Sequence, residues 1–148
     1  MIESAVIAVL AYLIGSVPTG LVLARLRRID LRATGSGNIG ATNVARAAGR
    51  ALGVATLVLD ALKGALPVLA AAALAPEIHA GESFAIALQC AAAVGAVLGH
   101  VFSIFMRLQG GKGVATAIGA IAALEPLALP LPLLVFSASF WLTRRVSV

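Results

Sequence analysis

Between Ile2 and Ala24 the chain carries a single charged side chain, Glu3. Further apolar runs follow at Ala51–Ala75, Phe84–Met106 and Val114–Leu142, leaving little of the chain outside them. A helix needs about 20 such residues to cross the hydrocarbon layer of a bilayer. Of the 148 residues 61% are apolar and only 11% charged, against about 25% charged in soluble domains. A core of this size cannot hide that much apolar surface from water. The expected fold is therefore all-α, a polytopic transmembrane helical bundle forming a single domain over residues 1–148.

Local signals divide the runs further. Pro18 and Gly20 predict a kink or local unwinding near the inner end of the first. Glu125-Pro126 splits the last into an inward piece too short for a straight span and a longer, proline-bearing piece. About five membrane helices result. Alanine-rich stretches at Leu69–Ala75 and Ala91–Ala93 favour close helix approach. The lone Cys90, inside an apolar run, is expected to be a small packing residue, with no partner for a disulfide or a zinc site. Glu3 stands where a signal peptide would have its basic region, so the first run is expected to be retained.

Basic residues orient the bundle. Arg25, Arg27, Arg28, Arg32, Arg46 and Arg50 crowd the first connection, and the second, Pro76 to Glu82, has none. Arg107 and Lys112 mark the third, the turn at Glu125 has none, and Arg144 and Arg145 follow the last run. This alternation predicts an outside N-terminus with the basic connections in the cytoplasm. The net charge of +5 then serves topology and anionic headgroups. Sparse aromatics and arginines tied to segment ends exclude a base-stacking surface, so no nucleic-acid partner is expected.

Both basic connections are rich in glycine. The first holds Gly35, Ser36, Gly37, Asn38, Gly40, Thr42 and Asn43, with Arg46 three residues on. Glycine-freed backbone N–H groups, hydroxyls, amides and a guanidinium together suit a phosphate. A helix starting near Ala41 would add its N-terminal dipole. The second is Gly110-Gly111-Lys112-Gly113, running directly into Val114. It lacks the upstream glycine spacing and the following Ser or Thr of a nucleotide-binding P-loop, which excludes an ATPase of that class. Asp60 and Lys63, three apart inside the second run, share a helical face and either pair with each other or serve a ligand. His100, at the inner end of the third run, is the candidate base, and His79 lies away from both loops.

These blocks, in order, are Tyr12-Leu-Ile-Gly-Ser-Val-Pro-Thr-Gly20, GSGNIGATNVAR from Gly35 to Arg46, Asp60-Ala-Leu-Lys-Gly64, GHVF from Gly99, and GGKGVAT from Gly110. Together they resemble the bacterial membrane acyl-phosphate:glycerol-3-phosphate acyltransferases. The resemblance implies transfer of a fatty acyl group from acyl phosphate to the 1-hydroxyl of glycerol 3-phosphate, releasing lysophosphatidic acid and phosphate in phospholipid synthesis. It assigns function to Ser36 and Arg46, and associates Gly110, Gly111, Lys112 and Gly113 with glycerol 3-phosphate. Two departures stand out: Ser103 replaces a usual proline, and the sequence ends where further helices and a third, histidine- and asparagine-bearing motif would follow.

Acyl phosphate carries its own good leaving group, so no metal, nucleotide or other cofactor is expected. The expected setting is the bacterial inner membrane, with membrane lipid around the site and the reaction at the cytoplasmic face. Two other classes fit parts of the pattern. One is a non-catalytic membrane subunit; the other is an organophosphate transporter, whose site would lie near the midplane and not at the basic helix ends.

Overall fold

The computed structural model describes residues 2–78 and 81–143. Arg144, Arg145 and His79 lie outside the described residues. The chain forms helices α1 (Ile2–Ser16), α2 (Thr19–Leu26), α3 (Ala41–Ala48), α4 (Arg50–Glu77), α5 (Glu82–Val101), α6 (Val114–Leu124) and α7 (Pro130–Thr143). Among the described residues, four stretches are long and apolar enough to cross a bilayer: Ile2–Leu26, Arg50–Pro76, Glu82–Met106 and Pro126–Thr143. The 11 residues of α6 rise about 16 Å, roughly half the hydrocarbon thickness. The five apolar pieces therefore give four helices of spanning length and one short one.

Helix ends fall where the chemistry puts them. Pro18 supplies no N–H, and α1 stops at Ser16 before α2 resumes at Thr19. Glu125 ends α6, accepts a hydrogen bond from the Leu127 N–H at 3.3 Å, and precedes a short turn at Pro126–Ala128. Pro67 lies inside α4 without interrupting it.

Side chains are distributed as a lipid solvent demands. Large apolar groups such as Val54, Val58, Leu62 and Leu69 on α4 face outward, whereas the interior is built from small residues. Ala71, Ala75, Ala92, Ala93 and Ala96 form much of the main core with Val68 and Leu88. Where no hydrophobic force drives helices together, close backbone packing does the work. Helices α1 and α5 run side by side in the same direction: a Cβ on Gly95 would strike the Ala8 carbonyl, and one on Gly99 the Tyr12 carbonyl. Gly64 and Gly119 make the equivalent contact between α4 and α6. Cys90 departs from expectation, lying exposed on the outside of α5 and not in a packing layer.

Candidate active site

The break between α1 and α2 organises a buried polar cluster. Interrupting a helix leaves carbonyls without partners, and inside a membrane protein these must be satisfied locally. The Lys63 ammonium donates to the Val17 carbonyl at 2.8 Å. The Ser103 hydroxyl donates to the Ser16 carbonyl at 2.5 Å, which ties the end of α5 to the break. Lys63 also pairs with Asp60 at 2.9 Å, with only 7% and 3% of their side chains exposed. Asp60 accepts a hydrogen bond from the Thr19 hydroxyl at 2.5 Å, and His100 Nδ1 lies 3.7 Å from the same oxygen. Thr116 of α6 closes the cluster at 3.1 Å from His100 Nδ1.

The pairing reading of Asp60 and Lys63 has a direct geometric counterpart. They bind each other and the chain break, holding α1, α2, α4 and α5 in one register. His100 is buried, with Nδ1 facing Thr116 and Asp60 and its Nε2 edge against Gly111, where even a methyl group would collide with the ring.

The first glycine loop, between α2 and α3, is folded around Asn43. The Asn43 Oδ1 accepts the Ser36 N–H at 3.0 Å, and its Nδ2 donates to the carbonyls of Thr34 at 3.0 Å and Asn38 at 2.9 Å. Gly35 and Gly37 adopt left-handed backbone, and at Gly35 a Cβ would meet the Asn43 side chain. The amide donor role expected of Asn43 is therefore corrected: both amide hydrogens serve the loop. Backbone donors are also partly spent, with Gly37 N–H on the Thr34 carbonyl and Gly40 N–H on Asn38 Oδ1. What remains outward is a small set. The Ser36 hydroxyl, the Asn38 Nδ2, the Thr42 hydroxyl and the Arg46 guanidinium have no partner among the described residues. Helix α3 begins at Ala41, as expected, and Thr42 and Arg46 share one face of it.

The second loop is stitched to the end of α5. Gly110 N–H donates to the Val101 carbonyl and Gly111 N–H to the His100 carbonyl, both at 3.0 Å. Gly113 is left-handed and starts α6. Lys112 is exposed at the head of a cleft of about 330 Å³ between α6 and α7, otherwise walled by apolar groups including Ile118, Ile121, Leu133 and Phe136. The two loops meet: Arg32 Nη2 donates to the Gln109 carbonyl at 2.6 Å.

A family model described as glycerol-3-phosphate acyltransferase matches residues 5–148. The chain belongs to the glycerol-3-phosphate acyltransferase family. Among relatives of that name, the one from Geobacter sulfurreducens is 46% identical over 148 residues, covering all of this chain and 72% of its own length. The Myxococcus xanthus relative is 48% identical over 143 residues, covering 96% and 71%. The fold is similar to the crystal structure of PlsY, an integral membrane glycerol 3-phosphate acyltransferase, in its glycerol 3-phosphate form. That match has a TM-score of 0.81 and 40% identity, over 97% of this chain and 68% of the other. The lysophosphatidic acid form of PlsY matches with a TM-score of 0.79.

Within this glycerol-3-phosphate acyltransferase, sequence reasoning missed Thr19 and Thr116 as partners of Asp60 and His100, and Arg32 as the link between loops. A threonine in an otherwise apolar helix is the signal that would have found Thr116.

Proposed function

We propose that this acyltransferase moves a fatty acyl group from acyl phosphate to the 1-hydroxyl of glycerol 3-phosphate at the cytoplasmic face of the bacterial inner membrane. The observation that carries the reading is the pairing of two unlike sites at one end of the bundle. Ser36, Thr42 and Arg46 offer hydroxyls and a guanidinium without a partner among the described residues, which suits a small phosphate ester. Beside them, Lys112 heads a cleft with apolar walls, which suits a phosphate carrying an alkyl chain. The Arg32–Gln109 hydrogen bond holds the two loops together.

In this reading the substrate hydroxyl oxygen attacks the acyl carbon, the carbon–oxygen bond to phosphate breaks, and phosphate departs with the electron pair. The leaving phosphate takes the hydroxyl proton, so the protein contributes chiefly positioning and charge. His100 acts through Gly111, holding the lysine loop in place. The acyl chain enters sideways from the bilayer through the cleft between α6 and α7.

The test uses the purified chain in detergent, with acyl phosphate and labelled glycerol 3-phosphate. Labelled lysophosphatidic acid is expected, and Arg46→Ala should lower kcat/KM by about 100-fold, the scale of one lost charge-stabilising donor. Turnover independent of Arg46 would remove the first loop from the site.

A further inference from the structure

A second basic cavity lies apart from Ser36, Arg46 and Lys112. It has a volume of about 520 Å³, sits at the end of α2, and is lined by Arg25, Arg28, Arg32 and Arg107. We propose that this basin binds the phosphate headgroup of an anionic phospholipid.

Three observations converge on it. First, the positive charge is not neutralised from within. Asp30 is the one carboxylate in the lining, and its Oδ1 accepts the backbone N–H groups of Arg32 and Ala33, at 3.0 and 3.3 Å. None of the four arginines forms an ion pair among the described residues. Guanidinium groups gathered four to one carboxylate, and not ion-paired to it, match a phosphate, which they grip through paired N–H donors.

Second, Arg28 and Arg107 both hold left-handed backbone, at φ 58° and 52°. Bulky residues avoid that region, and such outliers gather where a ligand site constrains the chain. Two of them, from connections far apart in sequence, border the same cavity. Orienting spans by charge requires basic residues at a helix end, but it requires neither convergence nor strain.

Third, the position and remaining walls are those of a lipid site. The spans Ile2–Leu26 and Glu82–Met106 both end at the basin, which places it at headgroup depth. Leu21 and Met106 line it, as does Phe105, which is 64% exposed. A free anion would gain nothing from these apolar groups, whereas the upper acyl chain of a phospholipid would cover them.

The experiment is native mass spectrometry of the full chain in detergent, titrated separately with short-chain phosphatidylglycerol, matched phosphatidylcholine and inorganic phosphate. Phosphatidylglycerol should bind in preference to phosphatidylcholine and resist displacement by millimolar phosphate. The triple variant Arg25→Gln, Arg28→Gln, Arg107→Gln should weaken that binding by roughly 100-fold, each arginine near an anionic surface contributing about a factor of five. Arg32 is left intact because it braces Gln109. If the triple variant does not fold, Arg25→Gln and Arg107→Gln singly should each show their own share of the loss. Equal binding of phosphatidylcholine, displacement by phosphate, or unchanged affinity in folded variants would each overturn the proposal. Transfer activity does not enter the readout, so the result stands apart from the proposed reaction.

Discussion

Replacing Asp60 with alanine isolates what the buried cluster does. The substitution removes the Lys63 partner at 2.9 Å and the acceptor of the Thr19 hydroxyl. Lys63 is then left 6% exposed with the Val17 carbonyl as its remaining partner. Stranding one member of a buried ion pair costs about 3–5 kcal/mol in soluble proteins. Polar contacts in membranes measure lower, about 0.6–2 kcal/mol, because the separated helices also find partners. Burial of the whole pair places the expected loss between these ranges, at about 3 kcal/mol, or roughly 150-fold in the folding equilibrium. Lys63→Met alone strands Asp60 in turn and should cost a similar ~3 kcal/mol. Additivity would then give about 6 kcal/mol, whereas the double variant, with neither charge left, should lose less than about 4 kcal/mol, a coupling of at least about 2 kcal/mol. The assay is reversible unfolding in mixed micelles with SDS, followed by ellipticity at each step of a double-mutant cycle. Additive single effects, to within about 0.5 kcal/mol, would refute the reasoning. So would an Asp60→Ala variant of unchanged stability with only a raised KM, which would return the aspartate to the substrate.

Two further predictions concern the loops. Asn43→Ala removes the brace across the first loop; we expect helical content to persist, cleavage by added protease within residues 31–43 to rise, and kcat/KM to fall by at least about tenfold, since misplacement alone has effects of that size. Gly111→Ala should drive the His100 ring out of place and destabilise the protein by about 1–3 kcal/mol, and the same change should be milder in a His100→Ala background, as measured by the same micelle unfolding.

Backbone punctuation was legible in the sequence because it is local chemistry. Pro18 ended α1, Glu125-Pro126 ended α6, and Gly40 and Gly113 preceded the starts of α3 and α6. The three-residue spacing of Asp60 and Lys63 placed them on one face for the same reason. Their other partners were not legible. Thr19, His100 and Thr116 come from three other helices, and their approach depends on backbone contacts such as Gly99 on Tyr12 and Gly64 on Thr116. Asn43 was read by residue type as a donor, but the fold decided who receives the hydrogens. The arginines were legible as an orientation signal. That Arg107 joins Arg25 and Arg28 in one cavity followed only from the parallel run of α1 and α5.

That parallel seam also bears on how the protein is made. During synthesis α1 enters the bilayer before α5, but the glycines that receive its carbonyl ridge, Gly95 and Gly99, belong to α5. The whole of α4 must be threaded in between, so α1 waits in lipid without the glycine surface its carbonyl ridge docks on. Helical hydrogen bonding keeps it safe there, and its final neighbour is chosen only after the third long helix arrives. Anything that slows insertion of α5 therefore prolongs exposure of a small-residue surface to unrelated membrane helices, and makes the quality-control machinery of the membrane a competitor for α1.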